Sequence, residues 1–263
     1  MFGFNKQFPL LVNLETRNKT LSWYSTDDEW TFEKNRRKKG KGWLWANSSI
    51  EYKFNSLGYR SKEIDEVDDN FILGFGCSYT EGVGIHEKDI WLTKISKKLN
   101  MDYINLAKQG TGCDVQAYNA MLWKNSNLRK PKMVICQWPQ EYRLQFPQEM
   151  TTDETGDWIN LKDESHQKTD NGKWWERSYI QNPGFMRINM MHWFNSFNTV
   201  WESLGVPVVN FTWETGVISP LQFSTNVIHF IDPGGVGSTE ARDCQHDSSK
   251  FHANTVRELL KIL

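Results

Sequence analysis

From Phe71 to the end of the chain, short apolar runs alternate with stretches of helical spacing, and this alternation constrains the fold more than any other feature. Apolar runs of strand length, each followed by an amphipathic segment, are the pattern of βα units with a parallel sheet buried on both faces. Residues 71–76 (FILGFG) read as a first strand, 103–106 (YINL) as a second and 133–138 (MVICQW) as a third. A fourth covers 206–211 (VPVVNF) and a fifth 227–230 (VIHF). Between them, Ile90, Trp91, Ile95 and Leu99 share helical spacing, as do Val115, Tyr118, Met121 and Leu122, and a long helix spans about 185–204. Asp247-Ser248-Ser249 caps a last helix that carries Ala253, Val256, Leu259, Leu260 and Leu263 on one stripe. The expected fold class is α/β: a three-layer α/β/α sandwich around a central, mostly parallel sheet of about five strands.

Two stretches break this rhythm. Residues 1–50 mix aromatic and polar residues without a period and contain Lys34, Arg36, Arg37, Lys38, Lys39 and Lys41, so they read as an irregular arm before a domain at 51–263. The basic run reads as a solvated loop, with phosphate or nucleic-acid contact as the sharper alternative. Residues 145–184 are polar around a Trp174-Trp175 pair and read as an insertion or lid.

Charge and composition exclude several classes of partner. The 263 residues hold 31 Lys+Arg against 32 Asp+Glu, a formal charge of −1, so no whole-protein field draws the chain to nucleic acid or an anionic membrane. No apolar run approaches the ~18 residues of a membrane span. The apolar run from Phe8 to Val12 lacks a small-residue cleavage site, and the four cysteines (Cys77, Cys113, Cys136, Cys244) lack Cys-x-x-Cys spacing. The expectation is a cytoplasmic protein with reduced thiols and no cofactor.

A parallel sheet gathers the carboxyl ends of its strands on one edge, where sites are built. The first strand stops at glycine and exposes Ser78 in the turn Gly76-Cys77-Ser78-Tyr79-Thr80-Glu81-Gly82. After the second strand, Gly110 and Gly112 leave amide groups free to face a reacting oxygen. After the third, Gln140 offers a side-chain donor, and before the last helix Asp243 and His246 have the spacing for a carboxylate to orient an imidazole. Each has a bland reading too: a turn serine, tight loops, a solvated loop and a chance Asp-x-x-His. A metal site from Cys244, His246 and His252 matches no compact zinc spacing. His192 and His229 read as structural, and His86, just after the serine turn, as a candidate pocket wall.

In combination, the serine turn, the Asn105-x-Ala107-x-x-Gly110 loop and the terminal Asp243-x-x-His246 resemble the SGNH (GDSL-type) hydrolase family, whose fold is flavodoxin-like. The stretch from Tyr52 to Ser61 resembles the leader that precedes the serine block in bacterial members. The resemblance covers roughly residues 50–263, thinly between 145 and 205. It implies Ser78 as nucleophile, His246 as base, Asp243 as its partner, and the amides of Ser78 and Gly110 as oxyanion donors. Cys77 stands where the family has Asp, and no Gly-x-Asn-Asp follows the third strand, so Gln140 is the substitute for the family's asparagine. The implied activity is hydrolysis of short acyl esters, acetyl foremost, on a small molecule or glycan. An O-acyltransferase using the same residues, and an inactive binding or assembly protein on the same fold, are the alternatives. Separately, the 13 tryptophans are an unusually high number, and Trp174, Trp175 and Trp193 near the expected lid read either as sugar-stacking or acyl-pocket residues or as core and loop anchors. The sequence assigns no oligomeric state.

Overall fold

The computed structural model describes residues 11–147, 158–161, 173, 175–214, 217, 226–233 and 240–263. Its centre is a five-stranded, wholly parallel sheet of β3 (Phe71–Phe75), β4 (Asp102–Asn105), β5 (Met133–Gln137), β8 (Val208–Thr212) and β9 (Ile228–Phe230), in the order β4-β3-β5-β8-β9. All five strands expected from the apolar runs are present.

Alternation along the strands builds the two outer layers. Phe71, Leu73 and Phe75 of β3, with Val134 and Cys136 of β5, face α4 (Cys113–Asn125) and α5 (Pro183–Ser203), which contribute Ala117, Ala120, Trp123, Phe194, Phe197 and Trp201. Ile72, Ile135 and Phe211 face the other way, onto Trp91, Leu92 and Ile95 of α3 (Trp91–Leu99) and Val256 and Leu259 of α6 (Ser249–Leu259). Gly74 lies on this second face, and a Cβ there would collide with Leu92, so glycine sets how closely α3 approaches the sheet. The Ser248 hydroxyl caps α6 by accepting from Lys250 N at 3.3 Å. No helix among the described residues is long and apolar enough to cross a membrane.

The N-terminal segment departs from the sequence expectation of an irregular arm. Glu29–Lys39 form helix α1, capped by Asp28, which accepts from Thr31 N, while Arg36, Arg37, Lys38 and Lys39 occupy the last turn, where cations oppose the helix dipole. Only Phe32 and Asn35 are buried along it, too few to print a period on the sequence. Thr20–Leu21 (β1) pairs antiparallel with Tyr52–Lys53 (β2). Of the expected lid, the described parts include an antiparallel pair, β6 (Leu144–Pro147) with β7 (Trp158–Leu161), and a π-helical turn at Trp175–Ile180; Trp174 lies outside the described residues.

The arm is fastened to the far end of the chain by a buried ion pair. Arg242 Nη2 and Nε reach Asp27 Oδ2 and Oδ1 at 2.6 and 2.8 Å, Tyr52 Oη donates to the same carboxylate at 2.5 Å, and the guanidinium stacks on Trp23 at 4.3 Å. Both ionic side chains are almost wholly buried. Removing one member strands the other charge in a low-dielectric interior, a loss of about 3–5 kcal/mol. Asp27→Ala is therefore expected to lower the urea midpoint of unfolding by that equivalent at unchanged m-value. A loss below about 1 kcal/mol would mean that the pair is not what holds the arm.

Candidate active site

The serine turn is shaped by residues on either side of it. Cys77 is extended (φ −107°, ψ −155°), Ser78 opens the one-turn helix α2 (Ser78–Glu81), and Gly82 ends it in the left-handed region at φ 82°. Gln137, the last residue of β5, braces the turn through Oε1, which accepts from Cys77 N, Cys77 Sγ and Thr80 Oγ1, each at 3.3 Å. The thiol at position 77 thus contributes a bond to the turn without a carboxylate. The leader acts from the other side: buried Arg60 stacks on Tyr52 at 4.4 Å and donates to the carbonyls of Gly82 (2.5 Å) and Ile85 (3.0 Å). Those carbonyls end α2 and begin the next loop, so Arg60 fixes the exit of the turn.

The loop after β4 is tied to the same turn. Asn105 donates from Nδ2 to Thr80 O at 2.8 Å and accepts from Ala107 N at Oδ1, while its own amide donates to Ser61 Oγ at 3.0 Å. Thr111 Oγ1 donates to Gly76 O at 3.2 Å, and Gln109 N to Glu81 Oε2 at 2.7 Å. Gly110, at φ 73°, sits between these anchors. The amides of Ser78 and Gly110 make no hydrogen bond among the described residues, which leaves two N–H donors beside the turn. Gly112 serves packing: it precedes α4, and a Cβ there would strike the carbonyl of Arg143.

The terminal loop supplies an oriented imidazole. His246 Nδ1 lies 2.6 Å from Asp243 Oδ2, and Asp243 Oδ1 accepts from the amides of Gln245 and His246 at 3.1 Å. Thr26 Oγ1, from the N-terminal segment, donates to Asp243 Oδ2 at 2.7 Å. Burial would raise the Asp243 carboxyl, but the bond and charge of His246, with the Thr26 and Gln245 donors, hold it below the usual carboxylate range. With Nδ1 bonded to a carboxylate, Nε2 is the free nitrogen.

Two contacts bring this loop to the serine turn. Arg242 N donates to Gly84 O at 2.9 Å, and Gly84 adopts φ 78° with no room for a side chain, because a Cβ would lie 2.8 Å from Ala241 Cβ and 2.9 Å from Asp243 Oδ1. The ring of Tyr79, next to Ser78 in the chain, packs edge-on against the imidazole at 5.1 Å, backed by Trp213 and Phe251. Ser78 is buried, and its Oγ makes no hydrogen bond to His246.

Gln140 has a partner that the sequence does not suggest. One N–H of its Nε2 donates to Glu214 Oε1 at 2.6 Å, which ties Gln140 to the loop after β8. His86 stacks on Trp45 and meets Ser48 Oγ at 3.2 Å, while His252 accepts from Trp91 N and burial pushes its pKa down to about 3. Among the described residues no three His, Cys, Asp or Glu side chains cluster as for a metal. Thr26, Glu81 and the bonds of Arg60 to the turn carry no signal in single-sequence spacing, because these partners lie 21 or more residues away, up to 217 for Thr26 and Asp243.

No protein-family model matches this chain, and no curated protein does. Among solved structures it is similar to an acetyl xylan esterase, Est2A, from the rumen bacterium Butyrivibrio proteoclasticus, at 11% identity and a TM-score of 0.45 over 74% of this chain and 63% of that one. The chain therefore spans less than two thirds of Est2A. It is also similar to the psychrotrophic esterase EstA from Pseudoalteromonas sp. (9% identity, TM-score 0.46, 73% of this chain and 95% of that one) and to TesA (12% identity, TM-score 0.43, 73% and 97%).

Glu81 couples the site to pH. Burial raises its pKa to about 7, against the hydrogen bonds from Tyr24 and Gln109 that favour the ionised form. The folded state then holds a proton that the unfolded state, with a pKa near 4.5, releases, so stability falls as pH rises through this interval, by roughly 3 kcal/mol. Urea midpoints at about pH 5 and pH 8 should differ less for Glu81→Gln than for the wild type. Buried Asp114, also raised to about 7, shifts in the same direction and leaves a residual fall. Equal slopes for both proteins would remove Glu81 as the titrating group.

Proposed function

We propose that this protein is a serine hydrolase of short acyl esters, working through Ser78, His246 and Asp243. The observation that carries the reading is the Asp243–His246 pair at 2.6 Å, with the ring of Tyr79, Ser78's neighbour, packed on that imidazole. A carboxylate on Nδ1 leaves Nε2 as the base and stabilises the imidazolium that forms. Ser78 Oγ attacks the ester carbonyl carbon while its proton passes to His246 Nε2. The carbonyl π pair moves to oxygen, and that oxyanion meets the amides of Ser78 and Gly110. Collapse expels the alcohol, which takes the proton from His246. Water then repeats the sequence on the acyl-enzyme and releases the acid. The Ser78–His246 bond closes in the substrate complex, as such bonds commonly do.

The acyl group is small, acetyl foremost, and the alcohol a carbohydrate or another small molecule; this rests on the family resemblance, a fold-level analogy. A site that excluded water and admitted a second alcohol would transfer the acyl group instead.

Hydrolysis of p-nitrophenyl acetate by wild type and Ser78→Ala tests the mechanism, together with a fluorophosphonate label located by mass mapping. The expected outcome is turnover by the wild type, loss of about 10⁴-fold or more in Ser78→Ala, and label on Ser78 alone. Turnover unchanged in Ser78→Ala would end the serine mechanism. A folded wild type that neither turns over nor labels would make the chain a binding protein on this fold.

A further inference from the structure

Given the ester-hydrolase reading above, on which it rests, we infer that Arg143 is a third oxyanion donor: its guanidinium, carried just beyond β5, binds the negative oxygen formed when Ser78 attacks an ester carbonyl. The first ground is an unmet requirement. Arg143 Nε and Nη1 are both buried and neither has a hydrogen-bond partner. Arg143 is half-buried, its guanidinium is hydrogen-bonded with Tyr142, and no carboxylate lies in ion-pair contact with it among the described residues. Donors held unpaired at a site where charge develops need no reorganisation when that charge appears.

Position is the second ground. Arg143 N donates to Gln140 O at 3.2 Å, the Arg143 carbonyl presses on Gly112, and Gln145 N donates to Asp114 Oδ2 at 2.8 Å. The chain leaving β5 is thereby folded over the loop that carries Gly110 and Gly112. Burial lowers the tendency of the guanidinium to hold its proton, but the side chains of Cys77, Tyr142 and Tyr79 outweigh this and keep it above its usual range. The Arg143 backbone lies against the glycine loop at Gly112, and the side chains whose charges act on its guanidinium include Cys77 and Tyr79, the two neighbours of Ser78. The only other candidate donor proposed at this strand end, Gln140, is bonded to Glu214.

In the step itself, the Ser78 Oγ–carbon bond forms, the carbonyl π pair becomes the oxyanion, and the proton goes to His246; Arg143 keeps its own proton throughout. A carboxylate on the substrate is the competing occupant, and kinetics separates the two. With p-nitrophenyl acetate, Arg143→Gln is expected to lose about 10²–10³ in kcat with KM changed by less than about threefold, the signature of an interaction made only in the transition state. Its affinity for phenylboronic acid, whose serine adduct is tetrahedral and anionic, should fall by a similar factor. Arg143→Lys keeps the charge, guards against misfolding of the glutamine variant, and should recover part of kcat. Unchanged kcat in Arg143→Gln overturns the inference. So does a loss seen only as a raised KM for p-nitrophenyl hydrogen succinate, which would assign Arg143 to substrate charge. If the wild type turns over and labels at Ser78 while Arg143→Gln is unimpaired, this inference fails alone; if the wild type does neither, both fail.

Discussion

The buried pair of Asp27 and Arg242 is the constraint on which the candidate site depends. Arg242 immediately precedes Asp243, and its amide is bonded to Gly84, just beyond the serine turn. Its side chain is bonded to Asp27, one residue after Thr26, whose hydroxyl reaches Asp243. One ion pair therefore sets the position of the N-terminal segment, the terminal loop and the exit of the serine turn together. Buried pairs are a poor source of net stability compared with apolar packing of the same volume, and their best-attested use is to select one arrangement among several. Here the selected arrangement is the one in which the Asp243 carboxylate points at His246.

Around Ser78 the polar interior is continuous and nearly complete. Gln137, Asn105, Thr111 and Glu81 each reach the serine turn or the Gly110 loop through a hydrogen bond, so the two loops are registered on one another by side chains from three strand ends. Satisfied networks of this kind rigidify a site, and partial satisfaction is expensive. Among the described residues, the buried atoms left without partners include Arg60 Nε and Gln116 Oε1 beside the serine turn and, in the segment after β5, Arg143 Nε and Nη1.

The fold was largely legible in the sequence, because a parallel sheet buried on both faces writes its strands as continuous apolar runs. Phe71–Phe75 and Met133–Gln137 were found almost to the residue. Helix α1 was not, since a helix that buries two residues prints no stripe. At the candidate site, the contact of Asp243 with His246 was legible as a three-residue spacing. Those of Thr26, Arg60 and Glu81 were not, because each acts through partners distant in the chain. Gln140 shows the limit from the other side: the residue type fitted a donor role, but the carboxylate of Glu214, 74 positions on, takes one N–H of its amide.

Thr26 and Asp243 stand 217 positions apart yet share a hydrogen bond. During synthesis the segment around Thr26 leaves the ribosome long before its partner exists, and the sheet strands emerge one βα unit at a time. The nascent polypeptide thus carries its serine turn without any oriented imidazole, and the Asp243–His246 pair gains its Thr26 partner only when the last loop docks onto the first.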